Sequence, residues 1–167
     1  MNSAARLKSY FDAIQTLVEK GLVQAYHDRS DGGLFTTLAE MAFAGNCGVM
    51  VNLPDDGGSD AEVLFHEELG AVLQLRKSDI EQVLCVLQQQ GLGHCCHLIG
   101  APLTEDEHIY YERDGSAILA MKRSELRKIW SETSWRMQSL RDNPQCADEE
   151  YQRIGRADPG LSPLLTF

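Results

Sequence analysis

The sequence predicts an α+β layered domain, with helices covering a mixed sheet. Three observations lead there. Segments with apolar residues three and four apart alternate with short segments of period two. Arg113-Asp114-Gly115-Ser116 joins two strand-like runs through an Asp-Gly pair, the mark of a tight hairpin. Elsewhere, consecutive strands are separated by helix-length segments, so hairpins and crossover connections coexist.

The elements follow in order. Residues 5–20 read as a helix, with Leu7, Tyr10, Phe11, Ile14, Leu17 and Val18 as one apolar stripe and Gly21 as the stop. Residues 22–27 read as a strand. Leu34 to Ala44 is a largely buried helix ended by Gly45-Asn46. In the next strand, Gly48 to Leu53, Val49, Val51 and Leu53 share a face. Pro54 to Asp60 is an exposed, mobile loop, and Ala61 to Phe65 a short helix. Ala71 to Arg76 is a strand. Ser78 and Glu81 form a capping-box pattern at the head of a helix running to Gln90, closed by Gly91. Cys96–Ala101, Ile109–Glu112 and Ala117–Met121 have strand character. Ser124 caps a last helix whose face carries Leu126, Ile129, Trp130, Thr133, Met137 and Leu140.

Beyond Arg141 the composition turns polar and turn-rich, so residues 1–141 read as the domain and 142–167 as a linker. The apolar, uncapped end Leu164-Leu165-Thr166-Phe167 suggests a piece of a longer protein. There is no internal repeat or low-complexity segment.

The chain has 167 residues, 43% of them hydrophobic and 24% charged, with a net charge of −10. The acidic balance argues against a nucleic-acid surface, which needs a basic patch. No run of 18 apolar residues is available to span a membrane, and the N-terminus has no apolar signal-peptide core. Five cysteines without framework spacing suit a reducing, cytoplasmic setting. His94-Cys95-Cys96-His97 is a poor metal site, because neighbours on an extended chain point to opposite faces and no second half exists. GxGxxG and GxxxxGK[ST] motifs are both absent, and no nucleophilic triad is visible.

The chemistry concentrates in His27-Asp28-Arg29-Ser30-Asp31-Gly32-Gly33, where a strand hands over to a helix. A helix's first turn leaves N–H groups unpaired and partly positive, which suits an anion. Gly32 and Gly33 remove two Cβ atoms, so a phosphate could approach the backbone. Ser30 can donate its hydroxyl, and Asp28 can hold a hard cation such as Mg2+. The alternative is structural: Ser30 or Asp31 caps the helix and the glycines make the turn. His66-Glu67-Glu68 puts two carboxylates at a strand entrance, either as a functional pair or as a solvated turn.

Three stretches carry a family resemblance. They are Ala25 to Leu34 with Leu38-Ala39-Glu40-Met41-Ala42-Phe43-Ala44-Gly45, then Phe65-His66-Glu67-Glu68-Leu69-Gly70-Ala71-Val72, and finally Trp130 to Pro144. Together they resemble the last synthetase-type domain of the large, single-chain phosphoribosylformylglycinamidine (FGAM) synthases of purine biosynthesis. The resemblance implies the three-layer α/β/α fold of the aminoimidazole ribonucleotide (AIR) synthetase C-terminal domain. It also implies a glutamine-hydrolysing, ATP-dependent C–N ligase activity in the full-length chain, with this piece inactive alone. Asp28 is then implied as a Mg2+ ligand, and Ser30, Asp31, Gly32 and Gly33 as the loop contacting ATP or ADP. The implied partners are sister synthetase domains and a glutaminase domain of the same chain, the latter following Phe167. None of the five cysteines takes the glutaminase nucleophile's role. The resemblance points to an auxiliary nucleotide site for this copy of the domain. His66 stands where the family pattern has asparagine in Phe-Asn-Glu-Glu. The alternative reading is a stand-alone nucleotide-binding or regulatory module of the same fold; a third, a related synthetase such as a selenophosphate or hydrogenase-maturation enzyme, is opposed by the tryptophan-rich tail and the Asp142-Asn143-Pro144 linker.

Overall fold

A computed structural model describes residues 4–54 and 58–156 of the chain. Helix α1 (Ala4–Glu19) leads into strand β1 (Val23–Arg29), helix α2 (Gly33–Gly45) and strand β2 (Gly48–Asn52). Helix α3 (Asp60–Phe65), strand β3 (Gly70–Leu75), helix α4 (Ile80–Gln89) and strand β4 (Gly100–Leu103) follow. Strands β5 (His108–Arg113) and β6 (Ser116–Lys122) precede helices α5 (Arg123–Arg141) and α6 (Pro144–Arg153).

The strands form two sheets. β1 and β3 make an antiparallel ribbon, with Asp28 opposite Ala71 and Arg29 opposite Gly70. The other four are ordered β4-β2-β5-β6, with β2 and β5 parallel and the remaining pairs antiparallel. This is the mixed sheet and α+β layering that the sequence predicts. The β5–β6 turn is also as expected: Asp114 and Gly115 have φ of 51° and 76°, as a two-residue hairpin turn requires.

Two apolar clusters hold the layers together. One joins Ala13 and Leu17 of α1 to Val83, Val86 and Leu87 of α4, against Leu73 and Leu75 of the ribbon. The other joins Leu34, Leu38, Ala39 and Ala42 of α2 to Val51, Ile109 and Tyr111 of the large sheet, with Val72 of the ribbon packed against it. Successive strand residues face opposite sides, so β3 feeds Leu73 and Leu75 to one cluster and Val72 to the other. α1 and α4 end alike. Leu22 donates its N–H to Leu17, and Leu92 donates to Leu87, each past a glycine of positive φ. These are Schellman endings, and each places a leucine in the shared cluster.

Several local expectations are corrected. β1 runs to Arg29, so Asp28 is a strand residue and the loop shrinks to Ser30–Gly32. α4 opens after a 3-10 turn at Lys77–Asp79, where the Ser78 hydroxyl donates to Asp79 instead of capping. The capping box lies at α3, where Ser59 accepts from the Glu62 amide and Glu62 from the Ser59 amide. α5 begins at Arg123, ahead of Ser124, and its N-cap residue Lys122 makes no side-chain cap bond. Cys96–Ile99 is not strand; β4 starts at Gly100.

The stretch expected to be linker is helical over Pro144–Arg153. Asn143 caps α6 by accepting from the amides of Gln145 and Cys146, and Pro144 takes the first helical position. α6 folds back on α5. Trp135 stacks on Tyr151 with ring centroids 4.5 Å apart and donates to Asp148, while the Tyr151 hydroxyl donates to the Lys128 carbonyl. The remainder of that stretch, residues 157–167, lies outside the described residues, as do residues 55–57 of the loop after Pro54.

The apolar stripes are wider than the surfaces that cover them. Leu7, Phe11 and Val18 of α1 are exposed, as are Ile129, Trp130, Met137 and Leu140 of α5. Only Leu126 of the expected α5 face is buried. Among the described residues no helix is long and apolar enough to cross a membrane.

Candidate functional site

The sequence-predicted site residues lie together, around the turn from β1 into α2. Gly32 and Gly33 adopt φ of 79° and 66°, left-handed values that side chains other than glycine resist. The Gly33 amide donates to the Ser30 carbonyl at 2.9 Å, closing the turn. Gly32 is the N-cap of α2 and receives no side-chain cap, so neither Ser30 nor Asp31 caps this helix. Thr37, buried at 2% exposure, donates from its hydroxyl to the Gly33 carbonyl at 2.9 Å and braces the first turn from inside.

The glycines have a packing reason. A Cβ on Gly33 would stand 2.8 Å from the Leu64 carbonyl oxygen and the Phe65 carbonyl carbon, so the end of α3 fills that side. A Cβ on Gly32 would stand 2.1 Å from the Thr36 hydroxyl. The bare backbone that the sequence suggests for a phosphate is, at Gly33, already approached by the chain itself.

The segment after α3 completes the site. The Gly32 amide donates to Glu67 Oε1 at 2.9 Å, and Arg29 Nε donates to the Glu68 carbonyl at 3.0 Å. Glu67 thereby supplies the anionic acceptor that the head of α2 favours. The side chains of Asp28, Ser30 and Asp31 are exposed and have no hydrogen-bond or ion-pair partner among the described residues. Asp28 shares its side of β1 with Tyr26, whose hydroxyl lies 2.9 Å from that of Tyr10 on α1. Burial, then the Tyr26 hydroxyl, and also the charge of Asp28, push the Tyr10 phenol far above its ordinary range.

Sequence reasoning missed two participants. Glu67 was visible only as one of two adjacent carboxylates, and nothing local says which chain element it meets. Glu40 accepts from Trp130 Nε1 at 2.8 Å and lies 2.9 Å from His27 Nε2, tying α2 to α5 and β1.

The donor set suits a hard cation but does not complete one. Among the described residues no group of three or more His, Cys, Asp or Glu side chains converges on a metal-sized point. Asp28 offers an unpartnered carboxylate at the end of the strand, with that of Asp31 in the turn that follows, and Mg2+ takes one or two protein carboxylates with water and phosphate oxygens filling the rest. Asp28 therefore fits as a contributor, not as a cage. At His94–His97 the extended-chain premise is replaced by a short 3-10 turn, and the thiols of Cys95 and Cys96 both donate to the Leu92 carbonyl. His94 Nε2 meets the Arg6 guanidinium at 3.1 Å.

Comparison with known families places the chain. The model of the AIR synthase related protein, C-terminal domain, matches residues 1–111, more than half of the chain. The chain belongs to this family. The matched region contains the loop, Glu67 and the ribbon, and ends inside β5, so β6, α5 and α6 lie beyond it.

Solved structures share the fold. Thermotoga maritima PurL complexed with ATP superposes with a TM-score of 0.62 at 21% identity, over 71% of this chain and 21% of that one. Phosphoribosylformylglycinamidine synthase II from the same organism gives a TM-score of 0.63 at 21% identity, with the same coverage of both chains. Escherichia coli HypE, a hydrogenase maturation protein, gives 0.54 at 25% identity, over 66% of this chain and 38% of that one. The chain thus spans about a fifth of the T. maritima chains and under half of HypE. The same family architecture serves proteins of different named roles.

Proposed function

We propose that this chain is a domain of an FGAM synthase. In that enzyme, ATP drives conversion of formylglycinamide ribonucleotide and glutamine to formylglycinamidine ribonucleotide. The observation that carries the reading is the β1–α2 turn, where Asp28, Ser30 and Asp31 present free oxygen groups beside the head of a helix. The likeness to T. maritima PurL, solved in complex with ATP, supports it.

In this reading Asp28 is one ligand of a Mg2+ ion shared with nucleotide phosphates. The metal would neutralise phosphate charge and fix its geometry. Ser30 orients those phosphates through its hydroxyl, Asp31 takes part through the shared cation, and Gly32 and Gly33 hold the turn that presents them. The acidic rim of Asp28, Asp31, Glu67 and Glu68 repels a bare polyphosphate, which makes a bridging cation necessary. Too few groups are present to complete a strong site, so the remaining ligands come from sister synthetase domains, with ammonia supplied by a glutaminase domain. The exposed apolar residues of α1 and α5 are the faces on which such domains would dock. A cytoplasmic setting accords with this role.

A second reading is a stand-alone nucleotide-binding or regulatory module, favoured by the occurrence of the fold in HypE. Equilibrium dialysis of the 167-residue chain with Mg-ATP separates the two. The FGAM synthase reading expects weak binding and no glutamine-dependent turnover by the chain alone. It also expects the reading frame to continue into a glutaminase. Micromolar binding without any such continuation would favour the module instead, and glutamine-dependent turnover by this chain alone would sink both. Within the full-length protein, Asp28→Ala should reduce the Mg-nucleotide retained through purification.

A further inference from the structure

The corner where α5 begins and α6 ends holds a cavity of about 210 Å3 lined by Glu107, Arg123, Ser124, Ile154, Gly155 and Arg156. Of its lining only Glu107 falls within the residues that match the family, and the cavity is separate from the β1–α2 turn. Three features set it apart.

Arg123 is buried, at 8% exposure. Its Nε is fully enclosed and has no hydrogen-bond partner among the described residues. The nearest carboxylate, Glu107 Oε2, stays 3.9 Å from Nη2, too far for a hydrogen bond. Arg123 lines the cavity, and its guanidinium keeps an N–H without an acceptor and only a loose ion pair with Glu107.

The second feature is the helix itself. α5 has 19 residues, and its N-cap residue Lys122 makes no side-chain cap bond. The Arg123 amide is satisfied by the Glu107 carbonyl at 3.0 Å. The amides that follow meet no capping side chain and carry the helix's partial positive charge.

The third is charge. On a chain of net charge −10, Lys122 precedes α5, Arg123, Arg127 and Lys128 fall in its first turns with Glu125 the one acid there, Arg153 ends α6, and Arg156 stands just beyond it. The Lys128 ammonium reaches the rim beside Gly155, where an added Cβ would lie 3.3 Å from it. Glu107, across the cavity, is the one acidic residue in its lining.

We propose that this corner binds a phosphate group, carried by the free ion or by a small monoester. A tetrahedral dianion in the cavity can accept from the Arg123 guanidinium, the Ser124 hydroxyl and the first-turn amides of α5 at once, with the Arg156 guanidinium beside it. Such a ligand would tie the end of α6 to the head of α5. The site is independent of the nucleotide reading at Asp28.

Thermal unfolding of the 167-residue chain tests this. Inorganic phosphate and glycerol 3-phosphate are each compared with sodium chloride at matched ionic strength. Binding to the folded state raises Tm as ligand concentration rises. A rise with both assigns the site to a terminal phosphate group, and a rise with inorganic phosphate alone assigns it to the free ion. Arg123→Gln should weaken the apparent affinity at least tenfold. Ser124→Glu should do the same, because its carboxylate competes for the helix head while favouring the helix itself. Asp28→Ala should leave the response unchanged. If Arg123→Gln fails to fold, Ser124→Glu decides. No rise over chloride at tens of millimolar phosphate overturns the proposal, as does a rise undiminished in the folded variants.

Discussion

The Gly32 amide and the Glu67 carboxylate meet at 2.9 Å across 35 residues of sequence. This bond joins the head of α2 to the segment entering β3. It sits beside the contact of Gly33 with the end of α3, so two long-range interactions fix one short turn. The site's shape therefore depends on α3 and β3 as much as on the loop that carries its side chains.

Gly33→Ala should be the most costly single change in that turn. The methyl group would enter backbone atoms at 2.8 Å while the residue keeps a φ of 66°. Overpacking and left-handed strain together give a loss of about 2–4 kcal/mol. Gly91→Ala serves as the control. Its φ is 73°, but nothing lies within 4 Å of the added methyl. Strain alone predicts a loss of about 1–2 kcal/mol there. Urea denaturation of both variants measures the difference, and equal losses would refute the packing account of Gly33.

Asp106 should make the chain's stability sensitive to acid. The His108 amide, with the His108 ring and the Tyr110 hydroxyl, holds its carboxyl down at about 2. A depressed carboxyl stabilises the fold above its unfolded value near 3.8. That stability fades as pH falls towards 2. Tm measured between pH 5 and pH 2 should drop less steeply in Asp106→Asn than in the parent. Parallel curves would show that these bonds do not favour the charged form.

Tyr151→Ala should release α6 from α5. The change removes the stack on Trp135 and the bond to the Lys128 carbonyl. An aromatic pair contributes roughly 0.5–1.5 kcal/mol beyond its buried area. Amide exchange in Pro144–Arg153 should accelerate while β2 and β5 keep their protection, and Trp135 emission should shift to the red. Unchanged exchange would mean that Ala147, buried at 1% exposure, suffices to dock the helix.

Cysteine labelling should be uneven. Burial, with Cys95 adjoining, pushes the Cys96 thiol up to about 11, so only about one molecule in a thousand carries the thiolate at pH 8. Cys85 and Cys146 are exposed. Iodoacetamide at pH 8, followed by peptide mass spectrometry, should modify these two at least tenfold faster than Cys96. Comparable rates would mean that the partial burial of Cys96 does not hold its thiol protonated in solution.

Local chemistry was legible in the sequence because it acts within a turn or between adjacent strands. The Asp114-Gly115 hairpin and the glycine stops after α1 and α4 all stand where their residues place them. Asn143-Pro144 was a helix start of the same local kind, obscured by the polar composition around it. The grouping of Asp28, Ser30, Asp31, Gly32 and Gly33 followed from their adjacency.

Tertiary structure decided what adjacency cannot. It chose which part of each apolar stripe is covered, burying Leu17 and leaving Phe11 in solvent. It brought Glu67 to Gly32 and Glu40 to Trp130, pairs separated by 35 and 90 residues. It also gathered Arg123 of α5 and the residues that follow α6 around one cavity. A short motif specifies backbone shape through its own sterics and hydrogen bonds, whereas burial and long-range partners depend on how separate elements pack.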